Sequence, residues 1–212
     1  TAATTASVLT LWLLAGTDGT GARPSVPNLV ATLLVCLATN VYITGINQVV
    51  DIDIDRINKP RLPLAAGSMT RRQGVVVSVT CGVFALVAAA AMSTALTVTV
   101  AIGLLVGTAY SIPPARLKRF PVPAAVSIVS VRGLVLTFGV YVHFAGAAAI
   151  PGSVVLLAVV AALFGLVVAV LKDLPDRWGD AQYGIRTFST QFDAASVHRV
   201  AMAVTVSPSA NW

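Results

Sequence analysis

Asn47, Asp51 and Asp55 repeat every four residues in the stretch NQVVDIDIDRINKP, residues 47–60. On a helix extending the apolar run before them, side chains four apart stack along one face, so the three oxygen-bearing groups form a column while Asp53 points elsewhere. Anions held in line repel one another. A hard divalent cation removes that penalty, and carboxylate and amide oxygens are the ligands Mg²⁺ takes. A second stretch, KDLPDRWGD over residues 172–180, repeats the spacing with Asp176 and Asp180. Asp173 lies close to the same face, although Pro175 lacks an N–H and starts or kinks a helix between them. One such loop alone reads equally well as solvated carboxylates capping a helix; two loops with the same spacing favour metal chemistry.

Mg²⁺ is typically shared between protein carboxylates and substrate phosphates. Two facing clusters therefore imply a diphosphate clamped between metal ions, with Asp51, Asp55, Asp176 and Asp180 as its catalytic carboxylates and Asn47 and Asp173 as further ligands. Lys59, Arg61, Lys118, Arg119, Lys172 and Arg186 are cationic donors able to complete the cage; each also serves as a plain topology signal. No Ser or Cys is placed as a nucleophile.

The elements that must position these groups are apolar. The chain has 212 residues, 57% of them apolar and 10% charged, with a mean hydropathy of +0.87. A soluble domain carries about a quarter charged residues, so this composition demands a bilayer as solvent. About 20 apolar residues cross the hydrocarbon, and five runs are long enough: 27–46, 73–93, 94–112, 122–146 and 151–171. Residues 5–16 form a shorter run, and another begins near Ser196 and stops around residue 206, before a polar tail. The expectation is one all-α transmembrane domain over 1–212, incomplete at its C-terminus. Cys36 and Cys81 fall inside apolar runs and read as small buried hydrophobes.

Loops 47–72, 113–121 and 172–196 carry nearly all the charges. Of the 14 Lys and Arg, Arg23 lies in a loop on the opposite side and Arg132 lies within a span. The net charge of +6 is thus gathered beside the carboxylates rather than spread as a nucleic-acid stripe, which argues against a nucleic-acid partner. By the positive-inside rule the charged loops face the cytoplasm.

The stretch NQVVDIDIDRINKPRLPLAAG (residues 47–67), TAYSIPPARLKRFP (108–121) and KDLPDRWGDAQYGIRTFST (172–190) together resemble the UbiA superfamily of intramembrane prenyltransferases, with the first loop most like the homogentisate phytyltransferase branch. The resemblance implies a helical bundle around a central cavity. It implies one Mg²⁺ on Asn47, Asp51 and Asp55, a second on Asp176 and Asp180 with Asp173 assisting, and Tyr110, Lys118 and Arg119 near an isoprenyl diphosphate. The implied reaction transfers the isoprenyl group to an aromatic acceptor, homogentisate in this branch, with decarboxylation. Family members have nine transmembrane helices, more than the spans counted here, so this chain is expected to lack the last ones. A terpene cyclase on the same fold shares the ionisation step; a cation transporter and an inactive fragment are the readings of other classes.

Arg132 is costly inside a membrane and marks a functional interior, with the acceptor's carboxylate as its expected partner and a helix-end carbonyl or carboxylate as the structural alternative. His143 is expected at the interface, and Phe138, Tyr141 and Phe164 are candidate cavity aromatics.

Overall fold

The computed structural model describes residues 2–17, 24–146 and 149–171. The expected runs form helices α1 (Ala2–Thr17), α2 (Val26–Val50), α4 (Arg71–Met92), α5 (Thr94–Ser111) and α8 (Gly152–Leu171), with a short α3 (Ile52–Asn58) after α2. The run expected at 122–146 is one rod in three parts: α6 (Pro121–Val129), a π-helical stretch over Ser130–Val135, and α7 (Leu136–Ala145). Among the described residues there is no strand, and five helices are long and apolar enough to cross a membrane. The protein is an integral membrane helical bundle. The loop from 172 and the run starting near Ser196 lie outside the described residues.

Local chemistry sets the helix ends. Ser25 Oγ accepts from the Asn28 N–H at 3.3 Å, with Pro27 in the first turn where its missing N–H costs nothing. Thr70 and Gln73 form a reciprocal capping box at the start of α4. Ser93 both terminates α4 and caps α5, its Oγ accepting from the Leu96 N–H at 3.1 Å. One residue therefore reverses the chain between two spans.

Small residues let the helices approach closely. A Cβ added to Gly82 would lie 2.7 Å from the Tyr42 ring, and one on Gly107 would lie 2.6 Å from Ile43. Without a hydrophobic drive between helices in lipid, such packing supplies much of the association. Gly103 lies beside Thr39, Gly107 beside Ile43 and Ser111 beside Asn47, a constant offset of 64 residues that sets α2 and α5 parallel and in register. Val8, Leu11, Val35, Ala85, Leu96, Val140 and Tyr141 form the centre of the core. Leu105, Val87, Leu156 and Phe164 lie exposed on the outside, where lipid is their solvent.

At the charge-poor end a half-buried polar cluster ties three elements together. His143 on α7 donates from Nε2 to Asn28 Oδ1 at 3.0 Å, with Thr32 Oγ1 at 3.1 Å, and its Nδ1 accepts from the Ser93 hydroxyl at 2.7 Å. The expected interfacial histidine is thus a clasp between α2, the α4–α5 turn and α7.

Candidate active site

The column begins where α2 ends. The helix expected to run unbroken through Asn47, Asp51 and Asp55 is interrupted at Asp51, whose backbone (φ −103°, ψ 15°) closes α2 and opens α3. The four-residue spacing survives the break because the hydrogen-bond ladder does: the Asp51 N–H bonds Asn47 O at 3.0 Å and the Asp55 N–H bonds Asp51 O at 2.7 Å. Asp51 and Asp55 are buried, each 8% exposed. Asp53 points outward, as its register predicts, and pairs with Arg56 at 2.9 Å.

The loop after α5 closes over this column. Lys118, on a 3₁₀ turn over Leu117–Arg119, donates to Asn47 Oδ1 at 2.8 Å and forms a short ion pair with Asp51 Oδ2. Burial pushes the Lys118 ammonium below its usual pKa, and Asp51 opposite pulls it back up. Arg116 takes the other carboxylate oxygen, Asp51 Oδ1, at 3.2 Å, so both oxygens of Asp51 face cations from one loop. Ser111 donates to Asn47 Oδ1 at 3.4 Å.

Arg116 is the residue the sequence reading missed. Its backbone is left-handed (φ 34°), which bends the chain so that residues 116 and 118 reach the same carboxylate, and its Nε is buried with no hydrogen-bond partner. The available signal was two basic residues at alternate positions in a loop beginning Pro-Pro. Arg61 and Arg119 instead point outward and are exposed.

Below the column lies a cavity of about 370 Å³. Asn47 belongs to both the charged cluster and the cavity wall, and Lys59 and Tyr110 stand at that same end. The deep end is walled by Cys36, Val100, Val135 and Leu136. From Asn47 to Cys36 is eleven residues of helix, about 16 Å along α2 at the helical rise. Arg132, on the π-helical stretch, lines this cavity together with Asn40. Its guanidinium has no hydrogen-bond or ion-pair partner among the described residues. The polar positions Asn40, Thr44 and Asn47, four and three residues apart, carry polar groups down the cavity side of α2 into the membrane, a signal present in the sequence. The expected cavity aromatics are elsewhere: Tyr141 is fully buried in the core, Phe138 packs against it, and Phe164 is exposed.

Lys172, Asp173, Asp176, Asp180 and Arg186 lie outside the described residues. Among the described residues no group of three or more His, Cys, Asp or Glu forms a metal cage.

Comparison with known proteins follows the same lines. A model of the UbiA prenyltransferase family matches residues 5–210. The chain is 42% identical over 203 residues to the homogentisate phytyltransferase of Synechocystis sp. (strain ATCC 27184 / PCC 6803 / Kazusa), covering 92% of this chain and 66% of that protein. It is 39% identical to the chloroplastic homogentisate solanesyltransferase of Arabidopsis thaliana, covering 78% of this chain and 44% of that one. The chain thus spans two thirds or less of the length of these relatives. Among solved structures, a UbiA homolog from Archaeoglobus fulgidus bound to DMAPP and Mg²⁺ superposes with a TM-score of 0.71 at 20% identity, covering 96% of this chain and 70% of that one. The apo UbiA homolog from Aeropyrum pernix K1 gives 0.70 at 18% identity, covering 95% and 73%. With a family match running nearly end to end and the same fold in its solved members, this chain belongs to the UbiA prenyltransferase family.

Proposed function

We propose that this protein transfers an isoprenyl group from an isoprenyl diphosphate to an aromatic acceptor, and that the acceptor is homogentisate, which loses CO₂ as it couples. The observation that carries this reading is the junction at Asn47, where a buried cluster of carboxylate, amide and two cations meets the mouth of a cavity running about 16 Å into the bundle. The names of the relatives, homogentisate phytyl- and solanesyltransferases, support the acceptor. The family match over residues 5–210 supports reading the whole chain as part of one transmembrane domain.

The residues fit Mg²⁺. Asn47 and Asp51 offer hard oxygens that already converge on a positive charge, the Lys118 ammonium, and Asp55 is buried one turn further on. Asp173, Asp176 and Asp180 are proposed for the second cluster, and the DMAPP-bound neighbour with its Mg²⁺ supports a divalent ion in this family. When bound, the metal supplies charge neutralisation to the departing diphosphate.

The chain's own groups do the rest. Lys118 and Arg116, with Lys59 and Tyr110 at the mouth, hold the diphosphate oxygens as the C1–O bond breaks and the electron pair leaves with the diphosphate; Arg61, Arg119, Lys172 and Arg186 add outer positive charge. The cavity keeps water from the allylic cation. An unsubstituted ring carbon of the acceptor attacks C1 and then gives up its proton as aromaticity returns. The acceptor's CH₂–COO⁻ group loses CO₂, and the electron pair left on the methylene carbon takes up a proton to give a ring methyl group. Arg132 is proposed to bind the acceptor's carboxylate, because it is a cavity-lining cation with no partner among the described residues. The charged loops are proposed to face the cytoplasm, as the Lys/Arg asymmetry supports.

The test is competition between homogentisate and 4-hydroxybenzoate with a twenty-carbon diphosphate, following labelled carbon dioxide from carboxyl-labelled homogentisate. Homogentisate should win and release label. Coupling without label would reject the acceptor, and product formed with no acceptor present would point to a cyclase. Arg132→Met should raise the KM for homogentisate well above its effect on diphosphate binding; an equal effect on both would reject the role given to Arg132.

A further inference from the structure

The two oxygens that a metal would use at the head of the column are both engaged by one side chain of the protein itself. Lys118 Nζ sits between Asn47 Oδ1 and Asp51 Oδ2, and Arg116 covers Asp51 Oδ1. Mg²⁺ binds oxygen at about 2.0–2.1 Å in near-octahedral geometry and keeps several waters. It cannot share that space with an ammonium. One cation must leave before the other enters.

We infer that Lys118 is an internal stand-in for the metal: in the metal-free protein it neutralises Asp51 and hydrogen-bonds Asn47, and a divalent ion enters only as Lys118 swings off Asp51 towards the diphosphate. This rests on the reading of the site as a metal–diphosphate centre. Of the two cations, Lys118 is the one able to move. Its flexible four-carbon stem carries a compact charge with rotatable donors. Arg116 is set by a left-handed backbone and a buried Nε. The exchange solves an electrostatic problem at both ends of the cycle: Asp51 is never left buried and unpaired, and the released ammonium finds a new anion at the cavity mouth.

The consequence is coupling. Metal alone must displace a buried lysine that has nowhere favourable to go, so it binds weakly. Metal with diphosphate binds strongly, because the anion receives the lysine, and the coupling is reciprocal. The device holds the metal site closed until substrate is present.

The test measures binding rather than turnover, on the whole chain in lipid nanodiscs. Mn²⁺ alone is titrated by paramagnetic resonance, and radiolabelled inorganic pyrophosphate is bound at saturating Mg²⁺. If Lys118 holds the site nine-tenths of the time or more, Lys118→Met should tighten Mn²⁺ alone by about tenfold or more, while weakening pyrophosphate. Lys118→Gln, which keeps a polar group there, should do the same to a smaller extent. Arg72→Met, which removes an exposed charge at the start of α4, should change Mn²⁺ affinity little. Unchanged or weaker Mn²⁺ binding in both Lys118 variants would overturn the stand-in role while leaving the site itself intact. Equal tightening in Arg72→Met would overturn it too, since the effect would then be general charge. Wild-type protein that binds no pyrophosphate at saturating Mg²⁺ would reject the reading of the site and this inference with it.

Discussion

Asp51 carries more of the site than any other described residue, because a single buried carboxylate answers two cations. Replacing it with alanine leaves Lys118 and Arg116 facing one another with no anion between them. Removing one partner of a buried ion pair costs about 3–5 kcal/mol, so Asp51→Ala should lower the thermal midpoint in detergent as well as abolish release of diphosphate from an isoprenyl diphosphate. Asp53→Ala should do neither to a comparable degree, since its carboxylate is 72% exposed and, among the described residues, pairs with Arg56 alone. Diphosphate release and scanning fluorimetry on the two variants check this together; equal losses would show that spacing does not sort the carboxylates. Asp176→Ala should match Asp51→Ala in activity. The sorting of Asp51 from Asp53 was legible because period alone decides which face a side chain takes. Arg116 was less legible: its spacing from Lys118 is in the sequence, but its reach to Asp51 depends on its own left-handed backbone, which an arginine rarely adopts.

At the scale of the element, the long apolar runs were readable to within a few residues, because twenty consecutive apolar residues admit few other interpretations. Interruptions were not. The break at Asp51 hides in a stretch whose spacing continues across it, and Ser130, Arg132 and Gly133 in an otherwise apolar run mark a departure without specifying a π-helical turn. Gly133 lies in that stretch, and a Cβ placed there would meet the Ala162 backbone of α8, 2.8 Å from its Cα. Backbone cannot give way as a side-chain tip can. Gly133→Ala should therefore cost about 1–3 kcal/mol, the usual range for overpacking, read as a lower midpoint of thermal unfolding. Gly152→Ala, with nothing within 4 Å of its Cβ, is the matched control and should leave the midpoint within error.

For the whole molecule, the arrangement divides into an end that holds charge and an end that is clasped shut by His143, Asn28 and Ser93. Charge asymmetry made this division readable; the clasp itself was not, since its members lie far apart in sequence, each singly in an apolar context. In a background lacking Cys36 and Cys81, Ser68→Cys should be protected from a membrane-impermeant thiol reagent added to intact cells, and Gly152→Cys at the other end should react. Both positions are exposed. Reaction at 68 with protection at 152 would invert the proposed orientation.

The π-helical turn over Ser130–Val135 has an arithmetic consequence. Its hydrogen bonds span five residues rather than four, as in the Leu136 N–H to Val131 O bond, so the rod carries one residue more than a uniform α-helix would need for the same turns. That residue sets the phase between the two halves. Excising one residue from the stretch would let it relax to ordinary helix, but every position beyond would rotate by about 100°, the angle per residue of the α-helix. Either Ser127 and Ile128 keep their places on the cavity wall, or Tyr141, His143 and Phe144 keep theirs in the core and clasp; both cannot. Deleting Val131 should consequently damage this protein far more than replacing it with alanine does, although either change removes the same side chain. Comparing the two variants for folded yield and thermal midpoint checks this; equal behaviour would mean the two halves turn independently.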